Sequence, residues 1–285
     1  MKIRFFSDYE VSENLITRFK ANYKINDVSL TFTAADDYDY AVVFNRSNDP
    51  LRTGAKIITV IQEPSWSEAH QNKFFLTNSD YIIVHDQELF ERTNKVKLGG
   101  KIFESPTYMF YHDHVDHSFY NQTWQIKKEK KLSMIVSGLY SSKANYQKRI
   151  EVLMNILESD LDIDVYGRGL NIHDSRYKGD LKYKHTGLLP YEYSIGIENC
   201  NEKNYITEKF VDCVLCNTTP IYNGAPNISE VYYQRYYRTI DLDSPHIVQD
   251  LRDIIAHPAP GSGINKEIYF EKYNLYTKLK EIIYG

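Results

Sequence analysis

The sequence predicts an α/β protein built from two doubly wound domains. Short apolar segments bounded by polar turns recur along both halves of the 285 residues. Several are apolar almost throughout, as is typical of strands buried on both faces of a parallel sheet. Segments with helical periodicity separate them, and such alternation favours parallel sheets covered by helices. A chain of this length can form two domains, each with its own core.

The predicted strands fall into two sets, one in each half of the chain. The first set is Lys2–Phe6, Tyr40–Phe44, Lys56–Ile61 and Tyr81–Val84. The second set is Lys131–Val136, Ile163–Tyr166, Tyr193–Ile197, Thr218–Tyr222 and Tyr237–Leu242. Apolar periodicity predicts helices at Tyr146–Glu158 and at Ile268–Ile283, and we expect the last helix to pack back on the body of the protein.

A polar stretch, His112–Lys130, separates the two halves. It ends in the charged run Lys127–Lys130, which is most simply a solvated linker. We therefore place an N-terminal domain at residues 1–120 and a C-terminal domain at residues 121–285.

Composition excludes several classes of protein. Hydrophobic residues make up 42% and charged residues 25%, which indicates a globular chain. The net charge of -4 gives no general attraction to nucleic acid. Three cysteines do not form a disulfide framework, and Cys213 and Cys216 lie inside a predicted helix, which favours small core residues over metal ligands. The histidines His112, His114 and His117 fall in the polar stretch and are assigned to the linker.

The strongest functional pattern lies in residues 193–228. The strand Tyr193–Ile197 is followed by a polar loop, after which Thr207 occupies a helix N-cap position with Glu208 and Lys209 in the first turn. A helix N-terminus presents unpaired N–H groups and a partial positive charge, which suit a diphosphate. Lys209 adds charge, and Glu208 can accept hydrogen bonds from ribose hydroxyls. The pattern therefore predicts a nucleotide-sugar site.

This stretch resembles the donor-binding signature of the α1,3-fucosyltransferases. The matching residues are Y-I-T-E-K at 205–209 and G-A-P-N-I at 224–228. The resemblance implies the GT-B fold, in which two Rossmann-like domains face a cleft. It also implies inverting transfer of L-fucose from GDP-β-L-fucose to a hydroxyl of a glycan acceptor.

The same resemblance assigns roles to individual donor-site residues. It places Tyr205 in contact with GDP-fucose, Lys209 on phosphate and Glu208 on ribose. Asn199 closes the preceding strand and should face the same pocket, and Cys200 stands where the family usually has serine.

Two further positions follow strand ends. In the family an arginine that clamps the diphosphate follows a strand ending in S-N; here the strand ends in Ser137-Gly138, and Arg149 is the matching arginine. Lys148 is the alternative if the register slips by one residue. A bidentate guanidinium fits a diphosphate better than an ammonium does. Gly167 follows another strand and should let the backbone turn near the nucleotide.

Glu63 is the candidate general base. It follows the strand Lys56–Ile61, and the family has G-E-N there, followed by D-Y-x-I-x-x-D, which matches residues 80–86. A carboxylate at the mouth of an apolar strand can have a raised pKa suited to proton abstraction. Pro64 stands where the family has asparagine, and Asp86 is the second candidate.

The implied reaction needs no tightly bound metal, although stimulation by a divalent metal is left open. The acceptor hydroxyl attacks the anomeric carbon and gives its proton to Glu63, while Arg149, Lys209 and the helix start at Thr207 stabilise the departing diphosphate. Two alternatives remain open: a related GT-B transferase that uses another nucleotide sugar, and a non-catalytic sugar-nucleotide binder.

The first residues, Lys2–Phe6, predict a strand and not a signal peptide, and no apolar run approaches the length of a membrane span. The resemblance is therefore to the soluble microbial or viral branch of the family. We expect a cytoplasmic protein, with peripheral membrane association left open. Its expected partners are a nucleotide sugar and an oligosaccharide acceptor.

Overall fold

The computed structural model describes residues 1–23, 25–106, 116–139, 141, 145–263 and 265–285, with nothing described of the side chain of Phe75. The chain divides into two compact units. The first comprises Met1–His117, Lys203–Tyr205 and Tyr273–Gly285, and the second comprises Ser118–Glu202 and Ile206–Lys272. Of the predicted linker, residues 112–115, with two of its three histidines, lie outside the described residues.

The described part of the first unit contains a six-stranded parallel sheet. Its strands are β1 Lys2–Phe6, β2 Thr31–Phe32, β3 Tyr40–Phe44, β4 Lys56–Val60, β5 Tyr81–Val84 and β6 Ile102–Glu104. Their order in the sheet is β2-β1-β3-β4-β5-β6. All five residues of β3 are buried, as expected for a central strand with both faces covered.

The described part of the second unit contains a five-stranded parallel sheet with the order β11-β10-β9-β7-β8. Its strands are β7 Lys130–Ile135, β8 Asp164–Tyr166, β9 Tyr191–Ile197, β10 Thr219–Asn223 and β11 Arg238–Thr239. Since all strands run parallel in each sheet, the carboxyl ends of neighbouring strands meet at one edge, where ligands bind in open α/β folds.

Helices connect the strands in both units. They are α1 Ser12–Asn22, α2 Lys73–Asn78, α3 Gln87–Asn94, α4 His117–Asn121, α5 Asn145–Leu157, α6 Glu208–Leu215, α7 Ile228–Val231, α8 Ile247–Ala256, α9 Asn265–Glu267 and α10 Leu275–Tyr284, with a π-helical turn at Ile268–Lys272. Among the helices described, none combines the length and the apolar character needed to cross a membrane.

Both faces of the second sheet are covered. Leu153 of α5 and Leu251 of α8 belong to the same apolar cluster as Ile221 of β10. The next residue, Tyr222, points to the opposite face, where its ring centroid lies 5.0 Å from that of Phe210 in α6. The alternation of adjacent residues therefore produces the doubly wound arrangement that the sequence predicts.

The predicted strands agree with the observed ones except at edges and ends. The short strands β2 and β6 were not predicted, and the predicted strand Tyr237–Leu242 shrinks to Arg238–Thr239. The predicted helix Ile268–Ile283 is wrong in its first part, because α10 begins at Leu275. Asn274 caps α10 by accepting a hydrogen bond from the Thr277 N–H at 2.9 Å, and a capping asparagine separates the π-helical turn from the helix.

Arg176 holds the carboxyl end of α5 in place. Its guanidinium donates hydrogen bonds to four main-chain carbonyls between residues 156 and 161, at 2.6 to 3.1 Å. Arg176 also donates to the carboxylate of Asp174 and holds the pKa of that carboxyl at about 2. A single side chain thus satisfies carbonyls that a helix end leaves without partners.

We expect the Arg176→Met substitution to lower the free energy of unfolding by about 2–4 kcal/mol. The reason is that several carbonyls, which bind a charged donor in the wild type, are left without a hydrogen-bond partner. Urea unfolding followed by circular dichroism measures the change. The matched control is Arg168→Met, because Arg168 is exposed and makes no side-chain hydrogen bond or ion pair with the described residues. Equal midpoints for the two variants would contradict the role given to Arg176.

Candidate functional site

The carboxyl edge of the second sheet carries a group of polar residues where β9 ends and α6 begins. Glu198 and Asn199 directly follow β9, and Thr207 is the N-cap of α6. The Thr207 hydroxyl accepts a hydrogen bond from the Lys209 N–H at 3.4 Å. The predicted N-cap is therefore confirmed, and Glu208 and Lys209 lie in the first turn as expected.

Glu198 is fully buried beneath this helix start. One carboxylate oxygen accepts the Thr207 N–H at 2.7 Å, and the other accepts the Thr207 hydroxyl at 2.6 Å. Burial raises the pKa of Glu198, and the nearby charge of Lys209 opposes that shift. No role was assigned to Glu198 from the sequence, although an acidic residue that directly follows a buried strand is a signal of a functional site.

The Lys209 ammonium lies between acceptors. Its Nζ is 3.1 Å from Glu208 Oε1, 3.2 Å from Thr207 Oγ1 and 3.6 Å from Glu198 Oε2. Burial acts to lower the pKa of Lys209, but the carboxylates of Glu208 and Glu198 outweigh it and the net shift is upward. The ammonium therefore stays charged at neutral pH.

Glu208 is held between two lysines. Lys184 Nζ lies 3.9 Å from Glu208 Oε1 and 2.7 Å from Asp212 Oδ2. Burial acts to raise the pKa of Glu208, but Lys209 and Lys184 outweigh it and hold that pKa at about 2. The second carboxylate oxygen of Glu208 is buried and has no hydrogen-bond partner among the described residues, so it retains capacity to accept a hydrogen bond.

Arg149 is a buried cation, because it is only 5% exposed. Its Nη1 donates to Asn199 Oδ1 at 3.3 Å, while Nε and Nη2 are buried without partners among the described residues. Burial lowers the pKa of Arg149, and Glu208 and Glu198 act on it in the opposite direction. The positive charge of Arg149 in turn acts to lower the pKa of Lys209. The structure thus brings together Arg149, Asn199 and the first turn of α6.

Lys148, the alternative to Arg149, is differently placed. Its ammonium pairs with Asp243 Oδ2 at 2.5 Å, and its side chain is 38% exposed. Helix α5 begins at Asn145, one residue before the predicted start, and Lys148 and Arg149 are its fourth and fifth residues. The paired and exposed Lys148 has less unused hydrogen-bonding capacity than Arg149.

Gly167 lies where β8 ends, and its position admits no side chain. Its φ is 146°, and a Cβ there would lie 1.6 Å from the carbonyl oxygen of Val136. A Cβ on Gly138 would lie 2.0 Å from the carbonyl oxygen of Gly169. The strands continue side by side beyond β7 and β8, which explains why glycine replaces the family's asparagine at position 138.

The first unit holds the candidate bases. Glu63 is partly exposed and follows β4, and the neighbouring Gln62 N–H donates to Asn45 Oδ1 at 2.8 Å. The hydroxyl of Tyr9 lies 3.3 Å from Gln62 Oε1, and its pKa is raised by burial and further by Glu63. Asp86 instead caps α3 by accepting the Leu89 N–H at 2.9 Å, so the structure gives this second candidate a structural task.

Tyr205 belongs to the first unit and is only 2% exposed. Its ring packs edge-on against His85 at 5.3 Å. The side chain of the adjacent Asn204 donates to the His85 carbonyl oxygen at 2.9 Å. Because so little of Tyr205 is exposed, packing accounts for its aromatic ring, and its contact with a donor stays a prediction.

Within the described part of the chain no group of three or more histidine, cysteine, aspartate or glutamate residues is arranged to hold a metal ion. The three cysteines, Cys200, Cys213 and Cys216, are buried and free, which confirms the interpretation of Cys213 and Cys216 as small core residues. The polar group at α6 instead combines two cations, a helix N-terminus and unused donors. Such an arrangement can bind an anion of the diphosphate type.

Residues 125–255 match the family model described as glycosyltransferase family 10 (fucosyltransferase), C-terminal region. This part of the chain is therefore similar to that family. The match contains the whole polar group at α6, together with Arg149 and Gly167.

Curated relatives are similar over part of their length. A putative fucosyltransferase-like protein of Arabidopsis thaliana is 32% identical over 82 residues, which are 29% of this chain and 15% of the relative. Alpha-(1,3)-fucosyltransferase fut-5 of Caenorhabditis elegans is 27% identical over 176 residues, 58% of this chain and 42% of the relative. The chain thus spans less than half the length of these family members.

Solved structures show the fold. A crystal structure of an α1,3-fucosyltransferase superposes with a TM-score of 0.59 at 14% identity and covers 100% of this chain and 88% of the other. A structure of an α1,3-fucosyltransferase with GDP-fucose gives a TM-score of 0.56 at 15% identity, covering 100% and 89%. The predicted α/β class with two Rossmann-like units, as in GT-B glycosyltransferases, is confirmed.

The Glu208 pKa of about 2 has a consequence for stability. The unfolded carboxyl titrates near 4.5, so between about 4.5 and 2 the unfolded chain binds more protons than the folded chain. Stability contributed by ionised Glu208 is therefore complete above pH 4.5 and is lost as the pH falls towards 2. We expect the stability difference between wild type and Glu208→Gln to shrink from pH 5.5 to pH ~3.5. Urea unfolding at both pH values measures it, and a constant difference would contradict the pairing.

Proposed function

We propose that the chain transfers L-fucose from GDP-β-L-fucose to a hydroxyl of a glycan acceptor, with inversion at the anomeric carbon. The observation that carries the proposal is the buried Arg149 guanidinium, in which the two nitrogens Nε and Nη2 have no hydrogen-bond partner among the described residues. The match of residues 125–255 to a fucosyltransferase family model supports the donor, as does the fold shared with an α1,3-fucosyltransferase solved with GDP-fucose.

In the proposed donor site Arg149 and Lys209 bind the diphosphate, and the N-terminus of α6 at Thr207 adds its partial positive charge. Glu208 accepts hydrogen bonds from the ribose through its unused oxygen. Asn199 orients the Arg149 guanidinium through its hydrogen bond to Nη1. As the glycosidic bond breaks, negative charge grows on the diphosphate, and fixed cations stabilise it.

We assign Glu63 as the general base that takes the proton of the acceptor hydroxyl. A partly exposed carboxylate at a strand end is open to substrate, and its neighbours Gln62 and Asn45 fix the loop on which it lies. In this proposal the N-terminal domain, 1–120, carries the acceptor side, and the C-terminal domain, 121–285, carries the donor side. A cytoplasmic location is part of the same proposal.

A panel of donors tests the proposal. Purified protein is incubated with GDP-fucose, GDP-mannose, UDP-glucose and UDP-N-acetylglucosamine, with and without EDTA, and released nucleoside diphosphate is measured in the presence and absence of a glycan mixture. We expect turnover with GDP-fucose, stimulation by acceptor and no loss with EDTA. Turnover of a UDP-sugar alone would point to a related transferase, and binding without turnover would point to a non-catalytic binder.

Arg149 and Lys148 provide a matched pair of variants for the diphosphate contact. We expect Arg149→Lys to weaken GDP binding about tenfold or more, because an ammonium cannot reproduce the fork of donors. Lys148→Met should change GDP affinity by less than about twofold, since only an exposed ion pair is lost. Calorimetric titration with GDP measures both. The reverse order of effects would move the diphosphate contact to Lys148.

Glu63 has a control residue five positions later in the chain, Glu68. We expect Glu63→Gln to lower kcat by about 10²-fold or more with little change in GDP affinity, because only proton transfer is lost. Glu68→Gln removes a carboxylate that is 93% exposed, and its kcat should match wild type. Initial rates with GDP-fucose and acceptor measure the effect, and near-normal turnover of Glu63→Gln would remove it from the base role.

A further inference from the structure

The carboxylate of Glu198 has no part in the chemistry proposed above, yet it is fully buried beneath the donor-binding end of α6. We propose that Glu198 is a positioning residue: it fixes the orientation of the Thr207 hydroxyl and thereby holds the Lys209 ammonium where a diphosphate binds. This inference rests on the proposed function and adds to it a residue that touches neither donor nor acceptor.

The first step is the double contact between Glu198 and Thr207. Oε1 accepts the Thr207 N–H at 2.7 Å, and Oε2 accepts the Thr207 hydroxyl hydrogen at 2.6 Å. Both the main chain and the side chain of the N-cap are therefore fixed by one carboxylate. A hydroxyl rotates freely unless its hydrogen is committed, and here the carboxylate commits it.

The second step runs from the hydroxyl to Lys209. Because its hydrogen points to Glu198, the Thr207 oxygen directs its lone pairs towards Lys209. It accepts the Lys209 N–H at 3.4 Å and lies 3.2 Å from Nζ. Glu198 Oε2 lies 3.6 Å from the same ammonium, so its charge and the oriented hydroxyl act together. Lys209 is thereby held by contacts to Thr207, Glu198 and Glu208.

The third step concerns the space around Glu198. A Cβ on Gly224 would lie 2.4 Å from Glu198 Cγ and 2.2 Å from the hydroxyl of Tyr222. That hydroxyl accepts the Ala225 N–H at 3.1 Å and lies 3.5 Å from Glu198 Oε1. Gly224 and Ala225 begin the G-A-P-N-I run, while Thr207 belongs to Y-I-T-E-K. Both parts of the donor pattern thus meet at Glu198.

A neutral side chain does not reproduce this arrangement. Glutamine at position 198 would present an amide NH₂ to one of the two Thr207 donors, and two donors cannot pair with each other. The hydroxyl hydrogen of Thr207 would then have to turn away from residue 198. Lys209 would face that hydrogen and no longer the lone pairs of the hydroxyl oxygen. The charge that faces the ammonium would be lost as well.

The experiment combines variants at positions 198, 207 and 209. GDP dissociation constants are measured by calorimetry for Glu198→Gln, Thr207→Val and the double variant, and again for Glu198→Gln in a Lys209→Met background. We expect each single variant to weaken GDP binding about tenfold, and the double variant to lose little more than either one. In the Lys209→Met background the Glu198→Gln effect should fall to about twofold or less. Thr207→Ser, which keeps the hydroxyl, should restore affinity to within about threefold of wild type.

Glu192→Gln is the matched control, since Glu192 lies on the same strand β9 and makes a surface ion pair with Lys131. Its GDP affinity should equal that of wild type. Urea unfolding of every variant separates loss of fold from loss of positioning. If Glu198→Gln does not fold, the comparison of Thr207→Val with Thr207→Ser carries the test, because those two differ in the hydroxyl.

Fully multiplicative effects in the double variant overturn the inference, and so does unchanged GDP affinity in Glu198→Gln. An undiminished Glu198→Gln effect in the Lys209→Met background also overturns it, because a purely structural role needs no lysine. If the wild type binds GDP and transfers fucose while these results appear, the proposed function stands without the positioning role. If the wild type binds no GDP, the proposed function and the positioning role of Glu198 are both wrong.

Discussion

The hydrogen bonds from Thr207 to the buried carboxylate of Glu198 are the contact on which the polar site of the second unit depends. They join the end of a buried strand to the start of a helix, so that the helix N-terminus cannot tilt without breaking both. Close approach of the two elements needs Gly196, where a Cβ would lie 2.8 Å from the Lys209 carbonyl oxygen. The sheet therefore fixes the start of α6 through the buried carboxylate of Glu198 and through Gly196, which has no side chain to keep the helix away.

Much of this could be predicted from sequence, and the failures share a physical cause. Central strands such as Tyr40–Phe44 were predicted without error, because burial on both faces demands apolar residues throughout. The two-residue strand Thr31–Phe32 was missed, since an edge pairing that short leaves no periodicity. The end of the predicted strand Tyr237–Leu242 was wrong because apolar composition does not reveal where pairing stops.

The residues of the candidate site also differ in how well local sequence predicts them. Thr207, Glu208 and Lys209 were identifiable because capping chemistry is local in sequence. Glu198 was missed because its function depends on a partner nine positions away, across a loop that no periodicity describes. Asp86, the second candidate base, matches a family motif and also caps α3 by accepting a hydrogen bond from the Leu89 N–H. Acidic residues at strand ends serve both purposes, and only geometry separates them.

The charges around α6 differ in how well the protein itself satisfies them. Lys184 and Lys209 have carboxylate partners, as buried or half-buried cations require. Arg149 is more deeply buried than either, yet two of its nitrogens, Nε and Nη2, have no hydrogen-bond partner among the described residues. Leaving buried donors unpaired costs about 1–3 kcal/mol each, so selection for stability alone would remove them. A ligand anion that pairs with those donors recovers this free energy on binding. Anion binding therefore explains why the guanidinium has unpaired donors in the free protein.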